Sequence, residues 1–335
     1  MRPESPSATP VRLSAVSLFA DSEERPVQWD TVFSADYGPD IAELGSIVAR
    51  EQGAPNFPRS FAIDNDGSVW ILDAVKHRIA HYSQQGVFAG SLDGGLRLDP
   101  HHLYPIDMAV IGRSVYVLLE ETLRQWVVVL SRGDVEGRTS LVHDGVNPLI
   151  YEFVSSQPRL TGITLGSWDG TDVSGDPGVA WFDVPGSGRM HTLPGIPLVD
   201  GWVLCRADGG DLFLEYTGQD GRIATQDVRV RLVRYEGASP DRTVLSIADQ
   251  VPVGDSIGLL LFVSSDLRSG NNYGGRWYLQ LSSDGDVEVW ERLADPMVDD
   301  SSQRRHISTD LSGDVYYMLV RRDRVDLLRR PTSDG

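Results

Sequence analysis

Residues 61–88 read FAIDNDGSVWILDAVKHRIAHYSQQGVF, and this stretch decides how the rest of the chain is read. It alternates short apolar runs with polar turns: Phe-Ala-Ile, then Asp-Asn-Asp-Gly, then Val-Trp-Ile-Leu, then a second polar break. Runs of four to six residues bounded by Asp, Asn and Gly are the signature of β-strands joined by tight hairpins. Asp66-Gly67 falls where a hairpin needs a residue tolerant of positive φ. The same alternation continues outward. Only Asp40–Gln52 and Glu120–Gln125 carry any helical pattern, so the chain is expected to be all-β.

A turn with Asp or Gly followed by an apolar strand recurs as DNDGSVWIL, IGRSVYVLL, ADGGDLFLEY and LSGDVYYMLV. The strands start at Val69, Val115, Leu212 and Val315, so the gaps are 46, 97 and 103 residues. The two wide gaps are close to twice the first and predict a further copy midway in each, where LTGITLG (Leu160–Gly166) and SIGLLLFVSS (Ser256–Ser265) stand. Six units of about 49 residues match the length of a four-stranded propeller blade. The predicted fold is a six-bladed β-propeller over residues 11–331, between an N-terminal tail (1–10) and a C-terminal tail (332–335). The last unit supplies three strands, at His306–Asp310, Val315–Arg321 and Val325–Arg329. An N-terminal strand is therefore expected to complete it, either Val11–Ala20 or the competing segment Val27–Phe33, which would remove two sheet edges.

The opening stretch resembles an NHL repeat. It carries Pro58-x-x-Phe61-x-Ile63-Asp64, the Asp66-Gly67 turn, a strand ending at Asp73, His77-Arg78-Ile79, the aromatic Tyr82 and the turn glycine Gly86. Gly53–Pro58 resembles that family's connection between blades. The resemblance holds for about 35 residues; elsewhere only spacing continues. It implies blades whose inter-blade connections gather at one face and the central channel, where such rings bind ligands. Asp73 and Arg78 are then read as a pair bracing a turn, His77 as a capping or packing residue and Lys76 as solvated.

Composition narrows the partners. With 48 acidic against 30 basic residues the net charge is −18 and the pI about 4.7, which disfavours nucleic acid and anionic membranes. Lys76 is the only lysine, a bias expected of a GC-rich bacterial genome, and leaves one candidate for Schiff-base chemistry. Cys205 is the only cysteine, so no internal disulfide forms, and its apolar neighbours read as a buried structural thiol. No apolar run has the length of a signal peptide core or a membrane span, so the expected location is the cytoplasm.

No nucleophile elbow, phosphate-binding loop or paired-histidine zinc motif occurs. Asp64-x-Asp66 and Asp284-x-Asp286 lack the ligand series of a calcium loop and are read as turns. The candidate ligand- or partner-binding residues are His101, His102 and Tyr104 in the first inter-blade connection, and Asp299 and Arg304 in the last. Trp168, Asn271 and Tyr273 flank two further loops. Asp99 and His101 are weak candidates for a metal.

The favoured reading is a non-enzymatic binding scaffold docking a protein or small ligand on one face through these loops, without a cofactor. Enzymes resembling this architecture, calcium-dependent lactonases and metal-dependent lyases, gather ligands from separate blades. A channel hydrolase or lyase holding one divalent cation, Ca2+ foremost, is thus the first alternative, and a structural subunit of a larger assembly the second.

Overall fold

A computed structural model of the chain describes residues 13–17, 29–47, 56–92, 104–121, 124–131, 134–140, 147–156, 159–168, 173–174, 178–184, 186–187, 189–208, 211–219, 223–233, 238–267, 272–294, 303 and 305–332. Every regular element among them is a strand, and they form six separate antiparallel blades in a ring, a six-bladed β-propeller. Strands β1 (Leu13–Ser17) and β2 (Asp30–Asp36) precede the first blade, which is β3 (Ser60–Ile63), β4 (Val69–Asp73), β5 (Arg78–Tyr82) and β6 (Phe88–Leu92). The second blade is β7 (Tyr104–Ile111), β8 (Ser114–Glu121), β9 (Arg124–Ser131) and β10 (Asp134–Ser140). The third is β11 (Asn147–Ser156), β12 (Arg159–Trp168), the short β13 (Val173–Ser174), β14 (Gly178–Phe182) and β15 (Met190–Leu193). The fourth is β16 (Ile196–Pro197), β17 (Gly201–Asp208), β18 (Asp211–Gly218) and β19 (Ile223–Val233). The fifth is β20 (Ala238–Val253), β21 (Ser256–Leu267), β22 (Asn272–Ser282) and β23 (Val287–Arg292). The sixth has β24 (Ile307–Thr309), β25 (Val315–Val320) and β26 (Arg324–Arg330), and β2 pairs antiparallel with β26 as its outer strand.

Ring closure therefore falls to the competing segment. The pairing starts at Asp30↔Arg329 and ends at Asp36↔Arg324, whereas Val11–Ala20 contributes β1, which runs parallel to β19 on the outside of the fourth blade. Phe33 explains the choice. It is buried with Ala35 among Tyr82, Ile71, Met318 and Leu327, so β2 supplies apolar side chains to the seam between the sixth and first blades. The unit starting at Leu212 is also corrected. Leu212 is the second residue of β18, the third strand of its blade, because the turn at 198–200 has already closed a first hairpin. Residues 40–47 are turns and bridges, and 120–121 and 124–125 are strand, rather than helix; 48–52 and 122–123 lie outside the described residues.

Hairpin chemistry follows the sequence. Gly67, Gly285 and Gly313 each have φ near +80° and donate their N–H to the carbonyl three residues back, closing three-residue loops. Gly86 makes the same turn with φ 76°, and a Cβ there would lie 2.2 Å from Cβ of Phe33, so the closing strand also demands glycine. Gly112 and Gly254 (φ 61° and 58°) take the first position of two-residue loops, as type II′ turns require. The core is not central. It is divided into apolar layers between neighbouring blades, such as Leu72, Ile79, Met108 and Val117 between the first and second.

Candidate functional site: a polar seam round the axis

The first strand of each blade lines the axis, and its register can be counted from the pair that closes the first hairpin. These pairs are Asp64/Ser68, Ile111/Ser114, Ser156/Arg159, Leu198/Gly201, Val253/Ser256 and Asp310/Asp314. The residue four positions earlier is Ser60, Asp107, Glu152, Pro194, Asp249 or His306. Three of these six equivalent places hold an acid. In each of those three strands the ladder slips by one residue just before it, at Ile106, Tyr151 and Ala248. A bulge leaves one residue unpaired and re-aims its neighbour. The acid itself keeps its place in the ladder, as Asp107↔Leu118, Glu152↔Ile163 and Asp249↔Leu260, and the residue before it is the one left out.

What Asp107 and Asp249 hold is the next blade. The Phe153 N–H donates to Asp107 Oδ2 at 2.5 Å, and Ile307 N–H to Asp249 Oδ2 at 2.8 Å. Ser60 stands in for an acid in the first blade, its Oγ accepting from Met108 N–H at 3.3 Å. All three donors occupy one register position, next to the acid's place in the following blade. His306 N–H adds a second bond to Asp249 at 2.6 Å, and Asp249 Oδ1 accepts from its neighbour Gln250. Ser60 Oγ also donates to Asp107 Oδ1, which takes Met108 N–H at 2.7 Å as well. The seam is thus a chain of side-chain-to-backbone bonds joining blades one to two, two to three and five to six.

Arg305 crosses the ring to this seam. From just before β24 its Nη2 reaches Asp107 Oδ2 at 3.0 Å and donates to the Phe153 carbonyl, while its backbone N–H bonds the Arg59 carbonyl at 3.2 Å. Asp107 and Arg305 are 0% and 2% exposed, so both charges are withdrawn from water and compensated by each other. Asp249 is as buried but has no direct ion pair among the described residues. Burial pushes its carboxyl up to about 6, against the opposing pull of Arg305 and of the two backbone N–H donors. Beside it, His306 lies between blades five and six, against the Arg276 guanidinium (Nη1 to Nδ1, 3.4 Å) and the Phe262 ring. Burial, and then Arg276, holds His306 well below the usual histidine range, so the ring is neutral and Nδ1 accepts.

The residues singled out from sequence fall differently. Tyr104 is the exposed first residue of β7; Trp168 ends β12 and Tyr273 lies near the start of β22. All three backbone positions are at the face that carries the connections between blades and between second and third strands, but in three different blades. Asp99, His101, His102, Asn271, Asp299 and Arg304 lie outside the described residues. Among the described residues no three His, Cys, Asp or Glu side chains are grouped to hold a metal ion. Cys205 is buried and its thiol is pushed up to about 12 by burial, consistent with a structural role.

Asp73 and Arg78 do pair, at 3.2 Å, and they brace more than their own turn. Asp73 accepts from Gly45 N–H and Lys76 N–H, and Arg78 donates to the Ile41 and Glu43 carbonyls, clasping the connection that leaves β2. Lys76 is part of the clasp rather than solvated. Its Nζ donates to the Asp40 and Glu43 carbonyls at 2.7 and 2.8 Å. His77 is not a packing residue; it is exposed, in the left-handed region with φ 53°.

Residues 27–145, from the ring-closing strand through the second blade, match a family described as a domain of unknown function (DUF7485). No curated protein matches the chain. Solved structures with a similar path include a member of the duf4221 family from Bacteroides vulgatus, at 8% identity, covering 91% of this chain and 98% of that one, with a TM-score of 0.45. Another is the PQQ-bound aldose sugar dehydrogenase of Streptomyces coelicolor, at 12% identity, 90% and 97% coverage and a TM-score of 0.43. A third is virginiamycin B lyase from Staphylococcus aureus, at 10% identity, 82% and 94% coverage and a TM-score of 0.39.

Proposed function

We propose that this propeller is a non-enzymatic binding scaffold, with NHL-like blades, that docks a protein partner on the face carrying the inter-blade connections. One observation carries this reading. The described acids nearest the axis, Asp107 and Asp249, are spent on the backbone N–H groups of neighbouring blades and on Arg305. A carboxylate that already holds several donors is a structural brace, and it is not poised to receive a substrate proton or to bind a cation. The exposed Tyr104 at the connection face offers the planar, amphipathic anchor that protein interfaces favour.

The test compares partner capture by the native chain and by a chain with Ala at His101, His102, Tyr104, Asp299 and Arg304. The expected outcome is loss of the captured partner with an unchanged melting temperature. Capture unchanged by the five substitutions removes the docking face from consideration. A calcium- or zinc-dependent rise in melting temperature that disappears in Asp249→Asn would instead establish the axis as a metal centre.

A further inference from the structure

Lys76 carries the only side-chain amine in the sequence, and it stands in the turn between the second and third strands of the first blade. It is partly exposed, and its Nζ is held by two neutral acceptors, the Asp40 and Glu43 carbonyls, at 2.7 and 2.8 Å. Among the described residues no carboxylate ion-pairs with it. An ammonium has three N–H groups and a neutral amine two, so losing the third proton costs neither of these bonds. It leaves a lone pair on the side away from both carbonyls. The Arg78 guanidinium donates to the same Glu43 carbonyl and to that of Ile41, so a second cation lies beside the amine. Burial first, and then Arg78, pulls Lys76 below the usual lysine range, against the opposing pull of Asp73, Glu43 and Asp40. Desolvation and a neighbouring cation are two of the ways in which proteins make a lysine nucleophilic.

We propose that Lys76 is a covalent modification site for activated acyl groups, and that its acylation loosens the connection between the ring-closing strand and the first blade. In the step, Nζ attacks the carbonyl carbon of an acyl phosphate or a thioester. A C–N bond forms, the C–O bond to phosphate or the C–S bond to the thiol breaks, and the leaving group takes the electron pair. The amine proton passes to water. The product is a neutral amide with one N–H, so at least one of the two carbonyls loses its donor and the clasp loses a charge. Those carbonyls belong to the segment that leaves β2. Within it Glu43 N–H bonds the Asp40 carbonyl, Leu44 N–H the Asp36 carbonyl and Gly38 N–H the Leu44 carbonyl. Lys76 thereby couples one chemical event to the turn that follows the strand closing the ring.

The full chain and a peptide of residues 73–80, DAVKHRIA, with a blocked N-terminus are treated with acetyl phosphate and, separately, with acetyl-coenzyme A. The reactions are run at about pH 8, where a free lysine is almost wholly protonated. Mass spectrometry of proteolytic fragments follows the adduct at Lys76. Acetylation at least about threefold faster in the folded chain than in the peptide is expected from at least one donor, since a desolvated amine beside a cation is the better nucleophile. The donor that reacts identifies the acyl source. Amide hydrogen exchange at 38–45 should quicken in the acetylated chain and in Lys76→Gln. Lys76→Arg, treated the same way, should keep slow exchange, because it still donates to the carbonyls and takes no acyl group. The proposal is overturned if both donors modify Lys76 no faster than the peptide, or if acetylation leaves exchange at 38–45 unchanged. Equal loosening in treated Lys76→Arg also overturns it, because the effect then arises elsewhere.

Discussion

Replacing Arg305 with Met isolates the contribution of the axial ion pair. The substitution keeps much of the aliphatic stem, so little cavity forms, but it removes the only cation within bonding distance of Asp107 among the described residues. Asp107 is fully buried, and a carboxylate left there without its partner costs about 3–5 kcal/mol. The Phe153 carbonyl loses a donor at the same time, which is part of that cost. Against a total stability on the order of 5–15 kcal/mol this is a large fraction. Urea unfolding followed by tryptophan fluorescence reads it directly, since eight Trp residues are spread along the chain. The decisive measurement is the cycle with Asp107→Asn. The neutral amide no longer needs Arg305, so the double variant should be less destabilised than the sum of the single ones, by about 1–3 kcal/mol. A cost below about 1 kcal/mol for Arg305→Met, or additive single effects, would refute the view that this pair holds blades two, three and six together.

Three further outcomes follow from the geometry. The folded-state value of Asp249, about 6 against 3.8 for the free group, is raised, so its contribution to stability is complete below about pH 3.8 and fades as pH rises through 6. The difference is about 3 kcal/mol, lost mainly between about pH 4 and 6, and the fall in unfolding free energy over that interval should flatten in Asp249→Asn; parallel curves for the two proteins contradict the assignment. Gly86→Ala combines a left-handed backbone with a Cβ driven into Phe33, and should destabilise by about 1–3 kcal/mol in chemical unfolding, with the melting temperature lowered accordingly. His77→Gly should leave stability unchanged or raise it by up to about 1 kcal/mol, because His77 occupies left-handed space on an exposed turn; a marked loss would reveal a packing role for the imidazole.

The fold was legible because turns punctuate it. Asp64–Gly67 and Asp310–Gly313 repeat one hairpin with the same spacing to the strand that follows, and that spacing alone counts most of the blades. It failed in the fourth blade, whose first strand shrinks to Ile196–Pro197 and leaves Leu212 looking like a second strand. The choice between two N-terminal strands was illegible for a different reason. Both alternate, and only the seam between blades six and one, where Phe33 meets Tyr82 at 5.0 Å between ring centroids, distinguishes them. The axial seam escaped a local motif search because its residues come one or a few at a time from separate blades. A signal was present nonetheless: Asp107 and Asp249 stand eight residues before Val115 and Ile257, at the heads of the second strands of their blades. Arg305 had no such mark. Its role depends on a carboxylate 198 residues away in the sequence.

The closing strand also sets a schedule for the ribosome. Ser34 bonds Asp326 across 292 residues of sequence, so β2 has no partner until nearly the whole chain has been made. At about 5–20 residues per second that wait lasts on the order of 15–60 s, during which β2 is a free strand able to pair with other nascent chains. Its composition fits that interval. Asp30 and Asp36 stand at its two ends, and only Phe33 and Ala35 within it become buried in the finished ring. Charged ends on a short strand deter edge-to-edge aggregation, so the last joint to form is carried by a segment built to wait.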